Sequence, residues 1–197
     1  MSDAEAGSTP EESPLLFVAL GTHPRPFSRL LAWTASWAVD HPRWRIEVQH
    51  GVTPAPGFAH AVPVLGGDDL RRLLRIAAVV VTDGEQATIS SAREAGHVPV
   101  VVPRDSRLGE HVDDRQILVA RRLGVAGEVW LAESEAGLAR AIGGALAAAA
   151  GSADEIALPD DSAPPQAPVE DRRAQGRHRG PHAAGRRRAV RRRRRRP

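Results

Sequence analysis

From Leu15 onward the chain alternates short apolar runs with amphipathic stretches. LLFVAL at 15–20 is apolar throughout, and in PFSRLLAWTASWAVDH the residues Leu30, Leu31, Trp33, Trp37 and Ala38 recur at helical spacing. RIEVQHG alternates as a strand does, and AHAVPVL, beyond a Pro- and Gly-rich stretch, predicts a short strand. Asp68 or Asp69 is placed to cap LRRLLRIA as a helix. There follow a strand in AVVVTDG, a helix in ATISSAREAG, a strand in VPVVVPR, a helix in DDRQILVARRLG, a strand in EVWLA and a helix in EAGLARAIGGALAAAA. Six nearly all-apolar strands separated by five helices predict an α/β domain, with a mostly parallel sheet covered by helices on both faces. Sheets of this kind bind ligands at the carboxyl ends of their strands.

The alternation stops after Gly151. Residues 152–171 are Pro-rich and acidic, and from Arg172 nothing is apolar enough to pack. The folded unit is expected over residues 14–150, between a disordered N-terminus (1–13) and a disordered linker and Arg-rich tail (151–197). Charge is segregated in the same way. Residues 1–171 hold 14 Arg against 24 Asp and Glu, a balance of −10, whereas 172–197 hold 13 Arg and no acid, so the net +3 describes neither part. The tail has the charge for a nonspecific anionic partner, phosphate backbones or lipid head groups, but no aromatic side chains for base stacking. A nucleic-acid-binding reading would rest on the tail alone. No apolar run approaches the roughly 18 residues of a membrane span, and the acidic start MSDAEAGSTPEESP is unlike a secretory signal. The chain has no Cys, which excludes disulfides and thiolate metal sites and fits a cytoplasmic location.

Three strand-end loops carry the candidate chemistry. GTHPRPF after the first strand offers Gly21, Thr22 and His23. TDGEQAT after the fourth offers Gly84, Thr88 and the amides of a helix start, where anions are favoured. PRDSRLGEHVDDRQ after the fifth offers Arg104, Arg107, Glu110, His111, Asp113, Asp114 and Gln116. Polar groups converging on a crevice mark a ligand site. HVDD contains metal-ligand types, but no ligand spacing accompanies it, and no metal is expected. Trp33, Trp37 and Trp44 are expected in the core or on a partner-docking face.

GTHPRPFSRLL, ATISSAREAGHVPVVVPR and GEHVDDRQ, in this order and spacing over residues 15–132, resemble the C-terminal, donor-binding domain of family 28 glycosyltransferases. More narrowly they resemble the soluble subunit of two-subunit UDP-N-acetylglucosamine transferases and its bacterial exopolysaccharide counterparts. The resemblance implies a Rossmann-like lobe of a two-lobed (GT-B) glycosyltransferase. It would bind a UDP-sugar as donor substrate, without cofactor, for N-acetylglucosaminyl or hexosyl transfer to a lipid-linked or polysaccharide acceptor. The acceptor-binding subunit would be a partner polypeptide, often membrane-anchored, holding this chain at the inner membrane face. Gly21, Thr22 and His23 would line the crevice. Gly84 and Thr88 would hold the diphosphate, and Glu110, His111 and Gln116 would orient the sugar, with Arg104 and Asp113 beside them. No catalytic residue is assigned.

The chain departs from the family pattern at three positions. Asp83 stands for a His, Glu85 for a Gly, and Ser91 for the Glu that would bind the ribose. At about 5 Å and an effective dielectric near 20, each carboxylate–phosphate charge pair would cost on the order of 3 kcal/mol. A helix N-terminus returns about 0.3–1 kcal/mol. If both carboxylates face the ligand, repulsion wins and donor affinity falls. Asp83 could alternatively cap the helix. The alternative function is a noncatalytic scaffold or regulatory homologue with a degenerate donor site.

Overall fold

The computed structural model describes residues 13–156. The expected disorder of residues 1–12 and 157–197, and with it the tail, lies outside the described residues. The elements run β1 (Leu15–Ala19), α1 (Ser28–Asp40), β2 (Arg45–Gln49), β3 (His60–Val62), α2 (Gly67–Ile76), β4 (Val79–Thr82), α3 (Gln86–Glu94), β5 (Val100–Val101), a 3-10 turn (Ser106–Leu108), α4 (Arg115–Val125), β6 (Trp130–Leu131) and α5 (Glu135–Ile156).

The strands form one sheet in the order β3-β2-β1-β4-β5-β6, and every neighbouring pair is parallel. The fold is therefore the expected Rossmann-like parallel sheet with helices on both faces. Alternation along β1 explains why its sequence is apolar at every position. Leu16, Val18 and Leu20 meet α1 and α5 through Leu30, Trp37, Leu138 and Ile142. Leu15, Phe17 and Ala19 meet α2 and α3 through Leu73, Leu74 and Ala92. A smaller cluster of Ile89, Val101, Ala120 and Val129 seats α4 on the same side as α3. Trp37 is buried, with Trp44 edge-on at 5.3 Å and His41 stacked at 4.0 Å.

Two helix boundaries differ from expectation. Helix α2 starts after Gly66, which takes the extended N-cap conformation (φ −65°, ψ 156°), so Asp68 and Asp69 lie inside the first turn. There their carboxylates meet the positive end of the helix dipole, and Asp68 pairs with Arg71 one turn on. Helix α5 runs to Ile156, past the expected end at residue 150. A run of alanines carries the helix through Gly151, whose helix penalty is only about 1 kcal/mol.

The strand order reverses between β1 and β4. From β1 the chain builds outward to β3, then crosses back to continue on the other side of β1. The two loops leaving β1 and β4 are thus directed apart, and a crevice opens between them at the carboxyl edge of the sheet. Residues 20–27, 83–85 and 102–114 all reach this edge.

Candidate functional site

A buried ion pair closes the floor of the crevice. Arg104, 1% exposed at the end of β5, donates from Nε to Asp83 Oδ2 at 2.8 Å, and Asp83 is itself fully buried. The same guanidinium donates to the Leu20 carbonyl (2.8 Å), the Arg25 carbonyl (2.8 Å) and the Glu110 carbonyl (3.4 Å), and lies 4.7 Å from the Phe27 ring centroid. One side chain therefore ties the loops after β1, β4 and β5 together. Burial pushes the Asp83 carboxyl above its ordinary value, while the Arg104 hydrogen bond and charge pull against that shift. Its other oxygen accepts the Glu85 amide at 3.0 Å. Asp83 thus braces its own loop, and its charge faces the Arg104 guanidinium 2.8 Å away. Glu85 is the N-cap of α3 without a side-chain capping bond, and it is exposed.

Because neither carboxylate caps α3, the amides of Gln86, Ala87 and Thr88 have no protein acceptor, and the first loop-to-helix bond is Ile89 N to Glu85 O. Beside them stands Gln116, 5% exposed, in the first turn of α4. Its Oε1 accepts from the Gly84 amide (3.0 Å) and the Arg104 amide (3.1 Å). Those two donors fix the orientation of the carboxamide, which leaves Nε2 buried with no partner. Gly84 is required by this contact. A Cβ there would stand 2.7 Å from Gln116 Cβ and 2.9 Å from its Oε1. Gly84, Glu85, Gln86, His111, Arg115 and Gln116 line a cleft of about 310 Å³.

The remaining expected site residues separate. His23 stacks on His111 at 4.7 Å, so the loops after β1 and β5 meet at the crevice. Burial, then the nearby Arg104 charge, lowers the His23 pKa from its ordinary value. Gly21 turns the chain with φ 67° and Thr22 is exposed. Glu110 is committed to the scaffold: it takes Arg29 Nε (2.9 Å) and Nη2 (2.7 Å) and the Asp105 amide (2.9 Å). Its oxygens hold α1 to the β5 loop. Asp113 accepts Arg115 Nε at 2.7 Å and lies 3.1 Å from His111 Nδ1. Ser91 bonds back to the Ala87 carbonyl and borders a separate groove of about 470 Å³ between α2 and α3, floored by Leu70, Leu74 and Ala95. Among the described residues no three His, Asp or Glu side chains form a group that could hold a metal ion. The helix-start amides expected from sequence are those of Gln86, Ala87 and Thr88, and no Ser, Thr, Asp or Asn stands at the N-cap position to take them.

No protein-family model and no curated protein matches the sequence. Solved structures do resemble the fold. The glycotransferase of kitacinnamycin superimposes with a TM-score of 0.55 at 18% identity, over 79% of this chain and 41% of that one. Spinosyn forosaminyltransferase SpnP superimposes with a TM-score of 0.52 at 17% identity, over 74% of this chain and 38% of that one. The chain spans about two fifths of the length of these structures. At such identities the likeness concerns the fold: this chain has the architecture of one Rossmann-like lobe of a GT-B glycosyltransferase.

Proposed function

We propose that this lobe is the donor-binding part of a UDP-sugar-dependent glycosyltransferase. The observation that carries the reading is the unpartnered Gln116 Nε2 beside three free α3 amides, at the strand-order reversal of the sheet. A buried side-chain N–H without an acceptor, next to unpaired amides at a helix start, favours a ligand rich in oxygen and negative charge. A nucleoside diphosphate sugar supplies both: the phosphates would take the amides of Gln86, Ala87 and Thr88, and a phosphate or sugar oxygen would take Gln116. The stacked rings of His23 and His111 would flank it. Sugar transfer to a lipid-linked or polysaccharide acceptor follows the sequence resemblance.

The second lobe of the cleft would come from an acceptor-binding partner. Exposed Val52, Val64, Leu108 and Val112 lie in loops at the crevice edge, where such a lobe would close. A noncatalytic homologue is the second reading, favoured by Ser91, whose hydroxyl is turned onto its own helix.

Gln86→Pro tests the donor site. Proline is tolerated at the first helical position and removes one N–H, and the extended Glu85 (ψ 118°) suits a residue before proline. Titration of UDP into the full-length chain should show affinity lowered about tenfold or more, as for one hydrogen bond to a charged group. The thermal midpoint should be unchanged. The Arg-rich tail is common to both proteins and cancels. UDP binding that is equal in both would remove the α3 amides from the site, and no UDP binding to either would favour the noncatalytic homologue.

A further inference from the structure

The sheet edge opposite the crevice has a surface of its own. Each α-helix that returns to the sheet ends there and the next strand begins there, so residues at helix ends and strand starts share that edge. Four exposed aliphatic side chains are found on it: Val39 at the end of α1 (78% exposed), Ile76 at the end of α2 (48%), Val98 between α3 and β5 (44%) and Val125 at the end of α4 (93%). Interleaved with them are Arg43 and Arg45 at the start of β2, Arg72 and Arg75 on α2, and Arg122 on α4, all exposed.

These five arginines have no acidic partner among the described residues, whereas Arg29, Arg104, Arg107 and Arg115 at the crevice edge are each paired with a carboxylate. Among the described side chains, Asp40 and Glu94, with Glu128 taken up by Arg93, offset these arginines only in part. Between Arg45 and Arg72 the edge is recessed, with a cavity of about 630 Å³ bordered by Ser13 and Ile76. Arginine in the last turn of a helix is favoured by the helix dipole alone. The dipole does not account for Arg43 and Arg45, which stand at the start of a strand, or for the aliphatic side chains.

We propose that this edge docks directly on an anionic phospholipid bilayer. The arginines would meet lipid phosphates, and Val39, Ile76, Val98 and Val125 would enter the interface between head groups and acyl chains. Nucleic acid shares the phosphate but gives no use to exposed aliphatics, and the nearby Trp44 is packed against Trp37 rather than offered for base stacking. Strand β1 is five residues long, so the crevice stands about 17 Å from this edge. A partner lobe held on the same bilayer could therefore reach it.

The test is cosedimentation of the full-length chain with phosphatidylcholine vesicles, with and without phosphatidylserine. It compares the wild type with two variants that keep the tail: Arg43, Arg45, Arg72, Arg75 and Arg122 all to Gln, and Val39, Ile76, Val98 and Val125 all to Ser. Removing arginines should weaken partitioning to phosphatidylserine vesicles by roughly fivefold each, and by far more than tenfold together. The serine variant should weaken it by about tenfold or more, since each buried methylene contributes. Thermal midpoints should match the wild type because every site is exposed. Wild-type partitioning by both variants would assign vesicle binding to the tail and overturn the proposal. So would loss in the glutamine variant alone that is matched by equal loss of RNA binding, since that describes a polyanion surface and not a bilayer.

Discussion

Replacing Arg104 by Met should lower the unfolding free energy by about 3–5 kcal/mol in urea denaturation, the cost of removing one partner from a buried ion pair. Arg104 and Asp83 are each about 1% exposed, so neither can recruit bulk water when the other is removed. The loss extends beyond the pair, because the same guanidinium holds the Leu20 and Arg25 carbonyls. Loops from three strands then lose their common tie. The deficit should shrink on acidification. Burial already raises the Asp83 pKa, and without Arg104 only the Glu85 amide opposes that rise. With a folded pKa above the unfolded one, the native variant binds more protons than the unfolded chain, so its stability falls as pH rises through that window and returns as pH falls. The double variant Asp83→Leu/Arg104→Met should recover most of the loss, since two apolar groups replace a pair whose desolvation was costly. A single-variant cost below about 1 kcal/mol would mean that the loops are held elsewhere.

How much of this was legible in the sequence depends on chain distance. The strands could be read because β1, β4 and β5 are buried on both faces, and burial on both faces leaves no position for a polar residue. The crevice could be read because loop polarity follows strand ends. The role of Asp83 could not, because its partner is 21 residues away and only the parallel pairing of β4 with β5 brings the two together. A repulsion calculated for a bare carboxylate therefore left out the cation that faces it. Gly84 shows the same limit. The resemblance gave it a place beside the diphosphate, but the contact that requires a glycine there is with Gln116, 32 residues on. The partner of Glu110, Arg29, is 81 residues back, so its tie to α1 could not be read from the loop alone.

Gln116→Leu should destabilise the fold by about 2–5 kcal/mol and abolish UDP binding together, because one side chain serves both. Its Oε1 is the acceptor for two buried amides, Gly84 and Arg104, and each amide left bare costs about 1–3 kcal/mol. Leucine fills nearly the same space beneath Gly84, so packing alone should not account for the loss. Gln116→Glu separates the two roles. It keeps an oxygen for both amides and, as a carboxylate, puts an acceptor where the free Nε2 donor stood, so its urea midpoint should stay closer to the wild type than that of the leucine variant. UDP titration should nevertheless show affinity reduced by about tenfold, the worth of one hydrogen bond to a charged group. A leucine variant as stable as the wild type would mean that water reaches both amides. Gln116 would then be held in place by its ligand and not by the fold. A glutamate variant with undiminished affinity would move the ligand off Nε2 and onto the α3 amides alone.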